Sequence, residues 1–160
     1  MLFLVSSLFA ASVDVYEGDD LSVLTSSLNP GDEIRLHKGT YPISENGLRW
    51  TGLGTESQPI TIRGVEDGVV LQMSSGWVTV SLTDSAYFTI KNLTISGAEG
   101  WEAASYGGLR VSNGDHITVR DCVFQNLPGT ALSLVDSERS EEHTSELQSH
   151  SDLVCRLLLE

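Results

Sequence analysis

A repeat of 28 or 29 residues is the feature that most constrains how this chain folds. The segments FTIKNLTISG (Phe88–Gly97) and ITVRDCVFQN (Ile117–Asn126) align without gaps at a spacing of 29 residues. PITIRG (Pro59–Gly64) matches their first half 28 residues earlier, and EIRLHKG (Glu33–Gly39) is a weaker copy. A fixed period of this length is typical of architectures whose similar units stack and bury a shared core.

Each copy alternates apolar and polar residues, and this period of two predicts a strand with one buried face. The predicted inward pairs are Ile34/Leu36, Ile60/Ile62, Phe88/Ile90 and Ile117/Val119. A second strand follows in the same coil, with Leu93 and Ile95 facing inward in one copy and Cys122 and Phe124 in the next. We therefore expect two short strands joined by a sharp bend.

The bend falls at Asn92, Asp121 or Gly64, residue types that tolerate the left-handed backbone conformation. A third strand precedes each unit, at VTV (Val78–Val80), LRV (Leu109–Val111) and LSL (Leu132–Leu134). Each coil is thus predicted to carry three short strands and three turns.

A short helix is predicted before the first coil, over residues 19–28. Leu21, Leu24 and Leu28 share one apolar face of this helix. Asp19 or Asp20 stands at its start as the N-cap. Asn29-Pro30-Gly31 ends it. We expect this helix to cap the N-terminal end of the stack.

The pattern resembles the right-handed parallel β-helix of the pectin-lyase-like family. Residues 30–41 (PGDEIRLHKGTY) look like the opening of many such proteins, and residues 58–64 (QPITIRG) like the step that follows. The resemblance covers residues 19–138. It implies an all-β fold of about four parallel coils, with a continuous core of inward Ile, Val, Leu and Phe.

The two ends of the chain are interpreted separately. Residues 2–11 (LFLVSSLFAA) are typical of the apolar region of a secretory signal, with cleavage after Ser12, although no Lys or Arg precedes Arg35. The alternative is a buried N-terminal strand. A signal at residues 1–12 predicts a secreted or cell-surface protein.

Residues 139–160 (RSEEHTSELQSHSDLVCRLLLE) resemble a translated sequencing adapter. We therefore expect them to be an artefactual tail, and residues 13–138 to be the N-terminal part of a longer β-helix that is monomeric at full length. The alternative is an amphipathic helix with Leu153, Leu157 and Leu158 on one face.

Charge and cysteine content exclude several classes of function. The formal net charge of −13 argues against nucleic acid as a partner, since phosphate binding needs a basic surface. The apolar run of ten residues is too short to span a membrane. Outside the tail Cys122 is the single cysteine, which predicts no disulfide and no Cys/His metal site; we expect Cys122 to be a small core residue.

The resemblance implies a ligand groove along the outer face of the strand that precedes each repeat unit. There Thr79, Arg110 and Ser133 are predicted to point outward in one column. The turn before Arg110 carries Trp101 and Tyr106, whose rings can stack on sugars, together with Glu99 and Glu102. Arg110 can bind a sugar carboxylate. The alternative is a loop whose aromatic residues cover the core, with Arg110 paired to a loop Glu.

A second column contains Arg63, Lys91 and Arg120, each just before the bend. Three cations at coil spacing fit an acidic polysaccharide. The alternative is that they are solvated and offset by the neighbouring acids Glu66, Asp67 and Asp121.

Two carboxylates, Asp84 and Asp115, take similar places in the turns before the repeat strands. They are candidates for a Ca²⁺ site or for paired catalytic acids, although Asp is also an ordinary turn residue. His116 is a weak candidate base. Asn92-Leu93-Thr94 is formally a glycosylation sequon, but Asn92 is equally explained by the bend.

The resemblance implies a secreted carbohydrate-active β-helix protein whose partner is a polysaccharide, with a lyase acting on uronate polymers as the first candidate and a glycoside hydrolase as the other enzyme class; the fragment alone is expected to be inactive. No cofactor is evident, and Ca²⁺ is a candidate for the full-length protein. The familiar catalytic signatures of pectate lyases and polygalacturonases are absent from these coils, so no catalytic residue is assigned. The alternative is a non-catalytic carbohydrate-binding or adhesive surface protein.

Overall fold

The structure is a computed structural model that describes residues 10–101, 106–136 and the strand at 153–158. Most of the predicted signal, the loop residue Glu102 and most of the adapter-like tail lie outside the described residues. The described strands form a parallel β-helix of about three turns, which confirms the predicted fold with slightly fewer coils than the four expected.

The strands stack in three columns along the β-helix, which we call the first, second and third sheets; the first and second are joined through β11 into one hydrogen-bonded sheet. The first contains β1 (Ser12–Val15), β2 (Glu33–Leu36), β5 (Ile60–Gly64), β8 (Ala86–Lys91) and the first half of β11 (Asp115–Gln125). The second contains β3 (Gly39–Ile43), β6 (Val69–Met73), β9 (Thr94–Gly97) and the second half of β11. The third contains β4 (Leu48–Thr51), β7 (Val80–Thr83), β10 (Leu109–Ser112) and β12 (Leu132–Val135).

Stacked strands place equivalent residues of successive coils in one column. In the first sheet Ile34, Ile62, Ile90 and Val119 pair in sequence, and all four are buried as predicted. The second sheet stacks Tyr41, Leu71, Ile95 and Phe124 in the same way. The sequence pattern had not indicated β3, β4 or β6, since their copies of the repeat are too divergent to align.

The bends between the first and second sheets depend on two kinds of residue. Asn92 and Asp121 have φ of 54° and 53°, so both adopt the predicted left-handed conformation. Gly64 was predicted at the bend because glycine tolerates a left-handed conformation, and this reason is wrong. Its φ is not left-handed, but a Cβ there would lie 2.0 Å from the carbonyl oxygen of Asn92. Gly64 is therefore required by the close approach of the next coil.

The N-terminal end of the stack is covered by a short helical segment, as predicted. It is shorter than the 19–28 expected: a 3₁₀ turn spans Leu21–Val23 and α1 spans Leu24–Ser27. The Asp20 carboxylate accepts a hydrogen bond from the backbone N–H of Ser22 at 2.9 Å, which caps the turn. Leu21 and Leu28 are buried against the first coil, and the cap thereby shields its apolar end.

The far end of the stack is partly covered by β13 (Leu153–Leu158), which pairs with β11 in antiparallel orientation. The alternative helix over these residues is therefore wrong. Among the described parallel strands, β11 is the last one in both the first and the second sheet. Its outer edge would present unpaired backbone groups, and β13 pairs with that edge.

Candidate functional site

The outer face of the third sheet carries a column of polar side chains. Successive strands pair Arg49 with Ser81, Ser81 with Arg110, and Arg110 with Ser133. Their inward neighbours Trp50, Leu82 and Val111 are buried in the core. Arg110 and Ser133 therefore lie in one outward column as predicted, and Arg49 joins them from a coil that the sequence pattern did not indicate.

Thr79 is not part of this column, and the prediction that it points outward is wrong. The structure pairs Val80, not Val78, with Leu109, so the predicted alignment was displaced by two residues. Thr79 precedes β7 in the turn, where its side chain is 0% exposed and its hydroxyl donates to the carbonyl of Gly107 at 2.7 Å. The next coil covers it, so Ser81 takes the outward place.

The prediction that the Trp101 ring is available to a sugar is wrong, because the residue is only 7% exposed. The indole N–H donates to the carbonyl of Gly76 at 3.3 Å, and the ring lies close to Gly97. The alternative interpretation is thus correct for this residue: Trp101 covers the core and presents no ring to a ligand.

Tyr106 and Arg110 contact each other as a cation–π pair. The guanidinium carbon of Arg110 lies 4.8 Å from the centre of the Tyr106 ring, and both side chains are half-buried. The Nε of Arg110 is buried, and within residues 10–101 and 106–136 it has no hydrogen-bond partner. A pairing of Arg110 with Glu99 is therefore not observed, while Glu102 lies outside the described residues.

Trp77 is an exposed aromatic residue that the sequence analysis missed. It is 70% exposed and stands three residues before Val80, just as Tyr106 stands three residues before Leu109. Because Val80 and Leu109 pair, the two aromatic residues enter neighbouring coils at equivalent positions. The available signal was the large apolar residue in the turn SSGW, outside any alternating pattern.

We define the aromatic–arginine face as Arg49, Trp77, Ser81, Tyr106, Arg110 and Ser133. It combines rings that can stack on a sugar with guanidinium groups that can bind a carboxylate and hydroxyls that donate or accept hydrogen bonds. Arg49, Ser81, Arg110 and Ser133 stand on strands fixed by the core, which hold them at coil spacing, about 4.8 Å per strand, while Trp77 and Tyr106 lie in the turns before β7 and β10.

The two predicted turn carboxylates do not form a pair. Asp84 lies beside Asn113, whose side-chain N–H donates to Oδ1 of Asp84 at 2.9 Å. Asp115 pairs in register with Ala86, and its Oδ1 lies 2.9 Å from Nδ1 of His116. Asp84 has a left-handed φ, so the structural interpretation as a turn residue is confirmed for Asp84, whereas Asp115 is the first residue of β11. The part of the chain that the structure describes holds no group of three or more His, Cys, Asp or Glu suited to a metal ion.

Three further predicted residues have structural positions. Cys122 is buried in the core, as expected. His116 stacks on Tyr87, with ring centres 4.4 Å apart. The Asn92 side-chain N–H donates to the carbonyl of Gly64 at 3.0 Å, which supports its role at the bend.

The predicted cation column exists and is longer than expected. Arg35, Arg63, Lys91 and Arg120 pair in sequence across the first sheet, and Asp14 precedes Arg35 in β1. Arg63 forms an ion pair with Glu33, at 2.6 Å between Nε and Oε1, an acid that is not among the three expected to offset the column. The ion pair lies across neighbouring strands of the sheet.

Within residues 10–101, 106–136 and 153–158, no helix is long and apolar enough to cross a membrane. Comparisons of the chain with protein-family models, with curated proteins and with solved structures found no match. The fold and the two faces described above are therefore the basis for any functional conclusion.

Proposed function

We propose that this chain binds a uronate-containing polysaccharide on the aromatic–arginine face, as part of a secreted or cell-surface carbohydrate-active β-helix protein. The observation that carries the proposal is the contact of Arg110 with Tyr106 at the centre of that face. A guanidinium held against a ring presents a planar cation for a carboxylate next to a surface for a sugar ring.

The distribution of positive charge supports this proposal. The chain is strongly acidic, with a net charge of −13, and an acidic surface repels acidic polymers. Arg49 and Arg110 nevertheless lie in one outward column, with Ser81 between them. Their charges are thus placed where a carboxylate-bearing chain running across the strands meets both of them.

Polysaccharide lyase activity is the second candidate. Elimination next to a uronate needs a cation that neutralises the carboxylate and a group that accepts the C5 proton; the C4–C5 double bond forms as the C4–O glycosidic bond breaks, and the leaving oxygen takes a proton from solvent. Arg110 supplies the cation, and the phenol oxygen of Tyr106 is a side-chain oxygen of a type used in proton transfer. The contact favours this pair over the turn carboxylates Asp84 and Asp115, which do not stand opposite each other. Asp115 pairs with Ala86, and Asp84 lies beside Asn113.

The test is isothermal titration calorimetry of the chain with polygalacturonate oligosaccharides. We expect binding by the unchanged protein and a loss of about tenfold or more in affinity for Arg110→Gln, since a charge-assisted contact is removed. Lys38→Gln is the matched control, because it removes one exposed charge away from this face. Equal affinities for Arg110→Gln and Lys38→Gln would contradict the proposal.

Catalysis is followed in the same samples by the ultraviolet absorbance of unsaturated uronates, because elimination creates that chromophore. An increase that disappears in Tyr106→Phe supports the lyase. Binding without new absorbance or new reducing ends supports the non-catalytic binding protein and removes the lyase from consideration.

A further inference from the structure

The outer face of the first sheet repeats one set of side chains on two neighbouring coils. In β8 the outward residues are Tyr87, Thr89 and Lys91, and in β11 they are His116, Thr118 and Arg120. The strands pair Thr89 with Thr118 and Lys91 with Arg120. A ring, a hydroxyl and a cation thus recur in the same order along each strand.

The aromatic members of this set stack on each other. The rings of Tyr87 and His116 have centres 4.4 Å apart and planes inclined by 11°. Both residues have left-handed φ, at 49° and 51°, a conformation that is costly for residues other than glycine. The backbone at the start of both strands therefore has the same unusual geometry.

The cation column continues this face to earlier coils, but its members differ in how far they are neutralised. Arg35 is paired with Asp14, and Arg63 with Glu33. Within residues 10–101 and 106–136, the side chains of Lys91 and Arg120 form no ion pair with an acidic residue. The two charges available to a ligand are therefore adjacent in one column, about 4.8 Å apart.

From this arrangement we propose that the first sheet carries a second binding surface, for a linear glycan with an anionic group on each sugar. The glycan runs along the stack, across the strands. Lys91 and Arg120 bind successive carboxylate or sulfate groups, and Thr89 and Thr118 donate hydrogen bonds beside them. This surface is independent of the aromatic–arginine face, which lies on a different sheet.

A glycan fits better than nucleic acid because of the charge around the column. The cations form a row one residue wide, and the protein as a whole carries a net charge of −13. A duplex needs a broad basic surface to neutralise the phosphates of two strands. A single extended chain of sugars meets only the row.

The test is affinity electrophoresis of the 160-residue protein through gels that contain polygalacturonate or heparin, which separates carboxylate from sulfate recognition, and through a comparison gel that contains duplex DNA. We expect retardation by at least one of them, and a loss of about tenfold in affinity for the double variant Lys91→Gln/Arg120→Gln, because two exposed ion pairs are lost. Retardation should weaken as salt is raised, since exposed charges are screened.

Two controls make the result specific. Lys38→Gln removes a charge outside the column and should keep the retardation. In an Arg110→Gln background, where the aromatic–arginine face is already weakened, the Lys91→Gln/Arg120→Gln change should still lower the retardation that remains. Circular dichroism confirms that each variant is folded. Absence of retardation in both gels, equal losses in Lys38→Gln and the double variant, or stronger retardation by duplex DNA would each overturn this proposal. An unchanged retardation when Lys91→Gln/Arg120→Gln is added to Arg110→Gln would also overturn it, whereas a loss in Arg110→Gln alone tests the proposed function of the aromatic–arginine face.

Discussion

At the residue scale, burial separates two tryptophans that the sequence does not distinguish. Both stand in turns close to the third sheet, yet Trp101 is 7% exposed and Trp77 is 70% exposed. Trp101 has a hydrogen-bond partner in the carbonyl of Gly76, which a ring in solvent does not need. We therefore assign a stabilising role to Trp101 and propose ligand contact for Trp77.

Replacement of each tryptophan by alanine tests this assignment. Trp101→Ala should lower the free energy of unfolding by about 3 kcal/mol, because it leaves a large cavity. Trp77→Ala should change it by less than about 0.5 kcal/mol and should weaken binding of polygalacturonate. Urea unfolding followed by circular dichroism measures the free energy of unfolding of both variants. Calorimetry measures their binding of polygalacturonate. The opposite ranking of the two stabilities would show that the assignment is wrong.

The left-handed bend at Asn92 gives a second test at this scale. Asn92→Ala places an alanine at φ 54° and removes the hydrogen bond to Gly64, whereas Asn92→Gly removes only the hydrogen bond. We expect Ala to be less stable than Gly by about 1 kcal/mol in urea unfolding. Equal stabilities would mean that the bend does not depend on backbone conformation.

At the element scale, the first strand is held largely by polar contacts. In β1 only Val15 is buried, while Asp14 contacts both Arg35 and His37. The hydrogen bond from Arg35, with a smaller contribution from His37, lowers the pKa of the Asp14 carboxyl below its ordinary value of 3.8. Hydrogen bonding from Arg63 likewise lowers the pKa of Glu33, which also accepts a bond from the hydroxyl of Ser12.

A lowered pKa in the folded state makes the docking of β1 dependent on pH. The ionised carboxylates of Asp14 and Glu33 stabilise the folded state fully above their ordinary pKa values of 3.8 and 4.5. This stabilisation is lost as pH falls through the lower pKa values that the two groups have in the folded protein. Hydrogen exchange at residues 12–15, corrected for the intrinsic rate, should therefore lose protection in acid before the core strands do. Asp14→Asn should show reduced protection already at neutral pH. Unchanged protection of β1 through this range would contradict the account.

The edge of β11 gives a second prediction about an element. Removal of residues 139–160 takes away β13 and exposes the backbone groups with which it pairs. The truncated chain should keep the β-sheet signal of circular dichroism but associate at lower concentration in size-exclusion chromatography with light scattering, because open edges pair with other chains. Loss of the β-sheet signal would instead show that the coils require β13 to fold.

At the scale of the whole molecule, stacking determines which features the sequence predicts well. Inward positions such as Ile62, Ile90 and Phe124 follow from alternation, because one period applies to every coil. Turn residues do not share that constraint, so the burial of Thr79 and Trp101 depends on the path of the loops and on the neighbouring coil. The columns were predictable wherever two copies of the repeat align, as at Lys91 and Arg120.

Positive charge is also organised at this scale. Of the seven Lys and Arg residues before position 139, only Lys38 lies outside the two outward columns. In a chain with a net charge of −13, this placement concentrates cations on two faces of one rigid stack. The proposed recognition of acidic glycans would account for both faces.

A nuclear magnetic resonance titration of the ¹⁵N-labelled chain with oligogalacturonate and, separately, with heparin oligosaccharide tests this central claim most directly. The account predicts that oligogalacturonate shifts the amide signals around Tyr106, Arg110 and Ser81. It also predicts that at least one of the two ligands shifts those around Lys91 and Arg120. In every case the signals of Lys38 and of the buried strands should stay in place. Absence of shifts, or shifts spread evenly over the surface, would contradict the assignment of glycan binding to these faces.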